Sequence, residues 1–407
     1  MQTESPPASA DVLVIGSGYT GLSAAIPTAR GGRHTVVLDA EAAGWGCSTR
    51  NGGQISTSIK LSFEQLSARH GSERARQILQ EGHRALAWIG HFIASEEIDC
   101  DFNVCGRFHA AHSPAHYRRL ASQLRQETPG LETGAWLVPR SQQSAELKTA
   151  SYFGGVVYPR HASLHPARYH QGLLNRALEA GVTVLPHCAA TALSHDGSRI
   201  RVGTDRGPIL ARDVIVASNG YTGALSPWLR RRVIPIGSYI MATEPLEPDL
   251  VSRLIPRNRV VSDTRKLVYY YRASPDRRRI LFGGRVSLKE SDPRRSAPRL
   301  HAEMARLFPE LRDTRISHSW VGTVAYTFDT LAHIGKHEGI HYAMGYCGSG
   351  ISMASYLGMR LGQQVLGRGE GGTAFDGLGF ETRPFYQGDP WFLAPSVAYY
   401  RWRDRLA

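Results

Sequence analysis

Lysine is nearly missing from this chain: only five of its 48 basic residues are lysines. The net charge of +13 is therefore arginine, spread along the chain without a basic helix or an RNA-binding motif. It reads as a coding bias toward arginine, with some capacity to draw acidic substrates, and no nucleic-acid partner is expected. No apolar run approaches the length that spans a bilayer, and residues 1–10 are polar and proline-bearing without an apolar signal core. No membrane span is expected, and the protein is read as soluble and cytoplasmic. Five scattered cysteines contain no CxxC pair. They speak for free thiols in a reducing compartment and against a disulfide framework or a zinc site. His112 and His116 stand at i and i+4, but no third ligand follows at fixed spacing and Arg118 and Arg119 adjoin them. They read as solvated helix histidines, and no metal is expected.

What is present is concentrated in residues 11–54. The β-branched run Asp11-Val12-Leu13-Val14-Ile15 ends directly in Gly16-Ser17-Gly18-Tyr19-Thr20-Gly21, and an alanine-rich helical segment follows over residues 22–30. Strand, tight turn and helix of this kind form a dinucleotide site. Gly16 allows the turn, Gly18 admits backbone to a pyrophosphate, and Gly21 lets helix and strand approach, while the helix N-terminus at Tyr19 and Thr20 offers free N–H groups. A second strand, His34-Thr35-Val36-Val37-Leu38, ends at Asp39 and Ala40, where a carboxylate can hold both ribose hydroxyls. This fingerprint does not separate FAD from NAD. The next stretch favours a long, retained cofactor: Gly44-Trp45-Gly46-Cys47-Ser48-Thr49-Arg50-Asn51-Gly52-Gly53-Gln54 places glycines and small polar residues directly after the ribose strand.

That stretch, GWGCSTRNGGQ, resembles the GWGASGRNGGQ signature of the gamma-glutamylputrescine oxidase-like branch of the D-amino acid oxidase (glycine and sarcosine oxidase) superfamily. Cys47 and Thr49 replace the usual small residues. The resemblance covers essentially the whole chain and implies noncovalent FAD, since the strand over residues 321–326 lacks the cysteine used by covalently flavinylated relatives. It implies an α/β fold in which a Rossmann-like FAD-binding domain of the glutathione reductase type is interleaved with a mostly antiparallel substrate domain plus helices. The expected division is residues 1–85, 160–225 and 330–370 for FAD, 86–159 and 226–329 for substrate, and 371–407 as a tail packed on the core.

Along the chain, residues 63–98 read as a pair of helices, residues 101–104 and 107–110 as half-buried strands, and residues 113–126 as a helix behind Pro114. His165-Pro166 precedes a helix expected over residues 171–180. By resemblance, the backbone near Ala189 passes the adenine, and Ser218-Asn219-Gly220 closes a small-residue turn against the cofactor. Hairpins follow, including the aromatic strand Leu267-Val268-Tyr269-Tyr270-Tyr271-Arg272. The second strong motif is Gly345-Tyr346-Cys347-Gly348-Ser349-Gly350-Ile351, which opens a long helix. A glycine turn at a helix N-terminus aims N–H groups at an anion. In the superfamily it lies at flavin N1 and the C2 carbonyl, where charge gathers on reduction.

The candidate catalytic residues are Arg50, Tyr270 and Arg272. Arg50 holds the place of an arginine near the isoalloxazine in related sarcosine oxidases. Arg272 closes a strand expected to face the flavin, and its guanidinium suits a substrate carboxylate by bidentate pairing; it reads equally well as a solvated charge at a strand end. Tyr269 and Tyr271 are equally well read as core. The resemblance implies oxidation of a small amine, gamma-glutamylputrescine-like or an N-substituted amino acid, by hydride transfer to flavin N5 and hydrolysis to an aldehyde, with oxygen reduced to hydrogen peroxide. Three alternatives stay open: a dehydrogenase of the same fold using another acceptor, an N-methyl amino acid demethylating oxidase, and a catalytically silent flavin-binding protein. Related oxidases carry a lysine near N5 that assists oxygen; here spacing places no lysine there clearly, Lys266 is a weak candidate, and an acceptor other than oxygen stays open.

Overall fold

The parallel strands of the first sheet all stop at one edge, and that alignment organises the molecule. The computed structural model describes residues 5–126, 128–284 and 292–406, so residues 1–4 of the polar N-terminal segment lie outside it. Ser9–Ile15 lies between Thr35–Leu38 and Ile209–Val216, all parallel, with Thr183–Leu185 beyond the former and Ile340–Met344 beyond the latter. The antiparallel strand His333–His337 and the hairpin Ala190–Asp196/Arg199–Thr204 complete this sheet. Its strands are apolar on both faces (Val12, Leu13, Val14, Val36, Val37, Val214 and Ile215 are fully buried), as parallel strands covered on both sides must be.

Two helices cross tightly on one face. Tyr19–Arg30 packs on Gly350–Val365, and a Cβ at Gly358 or Gly362 would fall 2.4 Å from the carbonyl oxygen of Thr20 or Ala24. Thr20 Oγ1 and Tyr346 Oη lie 2.7 Å apart at the same crossing. The two glycine motifs of the sequence are thus fastened together far from their sequence neighbourhoods.

The second sheet runs in the order Ile316–Tyr326, Ile234–Thr243, Ile280–Gly284, Tyr270–Ala273, Val260–Asp263, Arg107–Ala110, Gly155–Tyr158, Trp136–Val138. All neighbours are antiparallel except Val260–Asp263 with Arg107–Ala110. Side chains directly opposite one another share a face, so register sorts this sheet into two surfaces. Phe108, Val261, Tyr271, Phe282, Tyr239 and Met241 form the apolar one, against Leu300, Met304 and Leu307 of the helix Pro293–Leu307. The other carries the row His109, Ser262, Tyr270, Gly283, Ile240 and Trp320 and turns toward the first sheet's glycine motifs.

Several local expectations shift. Residues 101–104 form no strand, only a bridge from Asn103 to Ser163, and the expected strand over 267–272 is confined to Tyr270–Ala273. The helix after His165 begins five residues early, at Pro166, because proline is suited to the first helical position and the His165 side chain caps the Arg168 N–H. The tail contains the helix Leu393–Leu406, where Asp404 accepts the backbone N–H groups of Lys266 and Leu267. All five cysteines are free, and no helix among the described residues is long and apolar enough to cross a membrane.

Two histidines near the second sheet are held neutral. His109 Nδ1 lies 3.0 Å from Ser262 Oγ; burial, then the nearby Arg107, lowers it to about 3. His161 stacks on Tyr158 at 5.0 Å, and burial, then Arg107, lowers it to about 2. In the unfolded chain both titrate near the ordinary value of about 6.5, so below that pH the unfolded state takes up protons first. Stability is fully present above about pH 6.5 and is lost as the pH falls, by about 2 kcal/mol per histidine at pH 5. Thermal melts from pH 7.5 to 5 are expected to show this decline, and His109→Gln to flatten it. A profile unchanged by that substitution would remove His109 from the account.

Candidate cofactor and active site

Gly16 leaves the first strand with φ +106°, a conformation side chains rarely adopt. A Cβ at Gly21 would fall 1.9 Å from the Gly16 carbonyl oxygen, and one at Gly18 would fall 2.9 Å from Ser48 Oγ. The first intrahelical bond runs from Leu22 N–H to the Gly18 carbonyl. The Tyr19 N–H is taken by Ser48 Oγ at 3.0 Å, which leaves the amides of Thr20 and Gly21 as helix-terminal donors. Asp39 receives the Ser17 N–H at 2.9 Å and the Ser17 hydroxyl at 2.5 Å on one oxygen, and the Glu41 N–H at 3.1 Å on the other. Ala40 lies between these contacts.

The remaining cofactor motifs arrive at the same edge. Ser218-Asn219-Gly220 follows the strand Ile209–Val216, and Gly345 follows Ile340–Met344. Asn219 Oδ1 accepts the Gly345 N–H at 3.0 Å, so one turn holds the other. Ser349 stands at the N-cap position, without a side-chain capping bond, before the helix whose first residues are Gly350 and Ile351. Gly348 has φ +82° and stands against the Tyr326 hydroxyl. Ala189 donates its N–H to Asp205 at 2.9 Å. Ligands of open α/β sheets bind beyond the carboxyl ends of the strands, and Gly16, Asp39, Ser218 and Gly345 each follow the carboxyl end of a strand of this sheet.

The signature segment bridges the two sheets. Gly46 caps the short helix Cys47–Arg50; burial raises the Cys47 thiol to about 11, with Arg50 opposing. Trp320 Nε1 donates to the Arg50 carbonyl at 2.8 Å, and the Arg50 guanidinium stacks 4.4 Å from the Trp45 ring centroid. Asn51 donates to the Ser48 carbonyl at 2.7 Å and accepts the Gly53 N–H at 2.9 Å. Gln54 donates to the carbonyls of Val261 and Tyr271, 3.2 and 3.3 Å away, fixing the segment on the second sheet.

Of the three adjacent tyrosines, Tyr271 belongs to the apolar core and Tyr269 packs against it. Tyr270 faces the signature. A Cβ would meet its ring at 3.0 Å from Gly52 and 2.4 Å from Gly283, and its hydroxyl lies 2.8 Å from Ser238 Oγ. Burial raises its pKa, and the Ser238 bond opposes the shift. Arg272 lies on the same face, 5% exposed, donating to the Leu164 carbonyl at 2.8 Å. Burial lowers it to about 10, with Cys105 and Asp101 opposing.

Sequence reasoning missed Lys60. Its Nζ donates to the Cys347 carbonyl, inside the second glycine turn, and lies 3.1 Å from the Tyr326 hydroxyl. Ser352 Oγ donates to the Ser56 carbonyl at 2.9 Å, and Ser58 and Ser352 hydroxyls lie 3.2 Å apart, strapping this segment over the helix N-terminus. The available signal was position: Lys60 follows the signature by six residues. Lys266, the weak candidate from the sequence, has its backbone amide held by Asp404. The rings of His112 and His116 lie tilted to each other with centroids 4.1 Å apart, and His112 Nδ1 is 2.7 Å from Thr264 Oγ1.

Glycine turns with no room for a Cβ at the carboxyl edge of a parallel sheet, facing a second, mostly antiparallel sheet, are the architecture of a flavoprotein oxidoreductase. The chain belongs to the FAD dependent oxidoreductase (DAO) family, whose profile matches residues 11–364. It is 31% identical over 404 residues to gamma-glutamylputrescine oxidoreductase of Escherichia coli, covering 97% of this chain and 93% of that protein. A probable oxidoreductase, OrdL, of Rhizobium meliloti is 29% identical, covering 98% and 92%. Among solved structures, glycine oxidase from Geobacillus kaustophilus superposes with a TM-score of 0.78 at 18% identity, covering 93% of this chain and 99% of that one. The protein is an FAD-dependent enzyme, and the glycine cradle, Asp39 and the two helix N-termini fit that cofactor.

Proposed function

We propose that this enzyme is a cytoplasmic amine oxidase that oxidises a C–N bond of a gamma-glutamylputrescine-like amine or an N-substituted amino acid to an imine. Water then converts the imine to an aldehyde and an amine or ammonia, and oxygen is reduced to hydrogen peroxide. The observation that carries this reading is the meeting of both glycine motifs with Arg50 and Tyr270 between the two sheets. The name of the Escherichia coli relative supports the choice of amine. Bound FAD supplies the two-electron acceptor.

The protein's part is to position and to stabilise charge. Gly16, whose N–H is held by the Leu38 carbonyl, would make the turn; Gly18, Thr20 and Gly21 would present backbone to the pyrophosphate, Asp39 would hold the ribose, and Asn51, Gly52 and Gly53 the approach to the ring. The turn at Gly345, Gly348 and Gly350, with Lys60 against it, would face the end where negative charge gathers. Tyr270 and Arg50 would confine the amine in a site shielded from water. Arg272 would anchor a substrate carboxylate. No protein base is required if the amine binds neutral.

Anaerobic addition of gamma-glutamylputrescine to the purified holoenzyme is expected to bleach its flavin absorbance, and air to restore it with formation of peroxide. Bleaching without recovery in air would replace oxygen with another acceptor. Bleaching only by N-methyl amino acids would move the substrate. Flavin that no amine bleaches would sink the reading.

A further inference from the structure

Arg272 is buried at 5% exposure, yet among the described residues no carboxylate pairs with it. Among the described residues its Nε has no hydrogen-bond partner, and its one protein acceptor is the neutral Leu164 carbonyl. Burying a guanidinium without a counter-charge is costly, and such groups are kept where an anion completes them. Arg272 lines a cavity of about 240 Å³ together with Asp101, Asn103, Ser163, Asn258 and Ser274.

The wall has a definite chemistry. Among the described residues, no side-chain hydrogen bond occupies the amides of Asn103 and Asn258, whereas the Ser274 hydroxyl is engaged with Asp276 and the Arg279 N–H. Asp101 sits at the rim, one-third exposed, with Arg168 3.3 Å away. Asp101 can therefore receive a second cation. Two free amide groups and a buried guanidinium with one carboxylate nearby match a group that carries a carboxylate and an ammonium together. Simple anions would leave Asp101 as a repulsive neighbour, and plain polyamines would be opposed by Arg272.

We infer that this cavity binds the α-amino-acid end of a small ligand, its carboxylate on Arg272 and Asn103 and its ammonium toward Asp101. Such a group has two sources, the gamma-glutamyl head of a substrate or a free amino acid that tunes the enzyme. The signature segment runs directly over the site: a Cβ at Gly53 would fall 2.7 Å from Arg272 Nη2. Occupancy can thus reach the flavin side through Gly53 from either source. The inference deepens the proposed role of Arg272 as a carboxylate anchor and rests on that reading for the choice of probe.

The test uses the holoenzyme and two probes that cannot be oxidised at a terminal amine, gamma-glutamyl-n-butylamide and L-glutamate, titrated by calorimetry. Saturable one-to-one binding is expected, weakened about tenfold or more by Asp101→Asn and by Asn103→Ala, and absent for pentanoyl-n-butylamide, which lacks both charges. Asparagine is tolerated at residue 101, where φ is +52°, and an unchanged flavin spectrum confirms that these variants fold. Competition with the amine substrate assigns the site to the substrate head; binding without competition assigns it to an effector. No saturable binding of either probe, or equal affinity in wild type and both variants, overturns the inference. If the probes bind as described while no amine bleaches the flavin, the proposed function falls and the site stands.

Discussion

Alanine at Gly21 is expected to give a folded chain that purifies without flavin. The added methyl group would begin 1.9 Å from the Gly16 carbonyl oxygen, far inside contact distance, and 3.2 Å from a Val14 methyl. The helix Tyr19–Arg30 cannot simply retreat, because its opposite side is clamped by Gly358 and Gly362 of the helix Gly350–Val365. The turn must therefore open, and the amides of Thr20 and Gly21 leave the positions where they would meet a pyrophosphate. A rise of about 100-fold in the dissociation constant of FAD follows if about 2.7 kcal/mol of that contact is lost. Flavin fluorescence quenching on titration of the apoprotein measures it, with circular dichroism to confirm folding. Gly369→Ala, with nothing within 4 Å of the new group, is the matched control and is expected to bind normally. Stoichiometric flavin in Gly21→Ala would show that the turn is not the pyrophosphate site.

The contrast between these glycines and Lys60 shows what a sequence exposes. Gly16 to Asp39 is legible because strand, turn, helix and strand are contiguous, and each residue type has a local physical reason. The second glycine turn is legible as a helix start, and resemblance supplies its place at the cofactor. Lys60 is different: its partner Cys347 lies 287 residues away, and nothing in the intervening chain marks the contact. Register hides information in the same way. The alternation of Tyr269, Tyr270 and Tyr271 says that neighbours face opposite ways, but only pairing with Ser262 and Gly283 decides which one looks toward Gly52. Likewise the terminal helix Leu393–Leu406 is obscured by Pro395 and its aromatic composition, and Asp404 acquires its role only by meeting the backbone of Lys266 and Leu267.

Lys60→Met is expected to lower the reduction potential of the bound flavin by roughly 30 mV, about 1.4 kcal/mol for a two-electron couple. Its ammonium is fastened to the Cys347 carbonyl and the Tyr326 hydroxyl, with Nζ 4.6 Å from the Tyr326 ring centroid. A fixed cation beside the second glycine turn acts in the same sense as the helix dipole there, favouring the form of the cofactor that carries more negative charge. Methionine keeps the length and apolar stem and removes only the charge, so FAD affinity should change less than about tenfold. Lys60→Arg should hold the potential near wild type. Spectroelectrochemical titration against reference dyes reads the potential directly, independent of turnover. If Lys60 instead serves only to strap residues 56–60 over the helix N-terminus, the methionine variant will melt earlier at an unchanged potential, because lost packing weakens the fold without altering the field at the crevice.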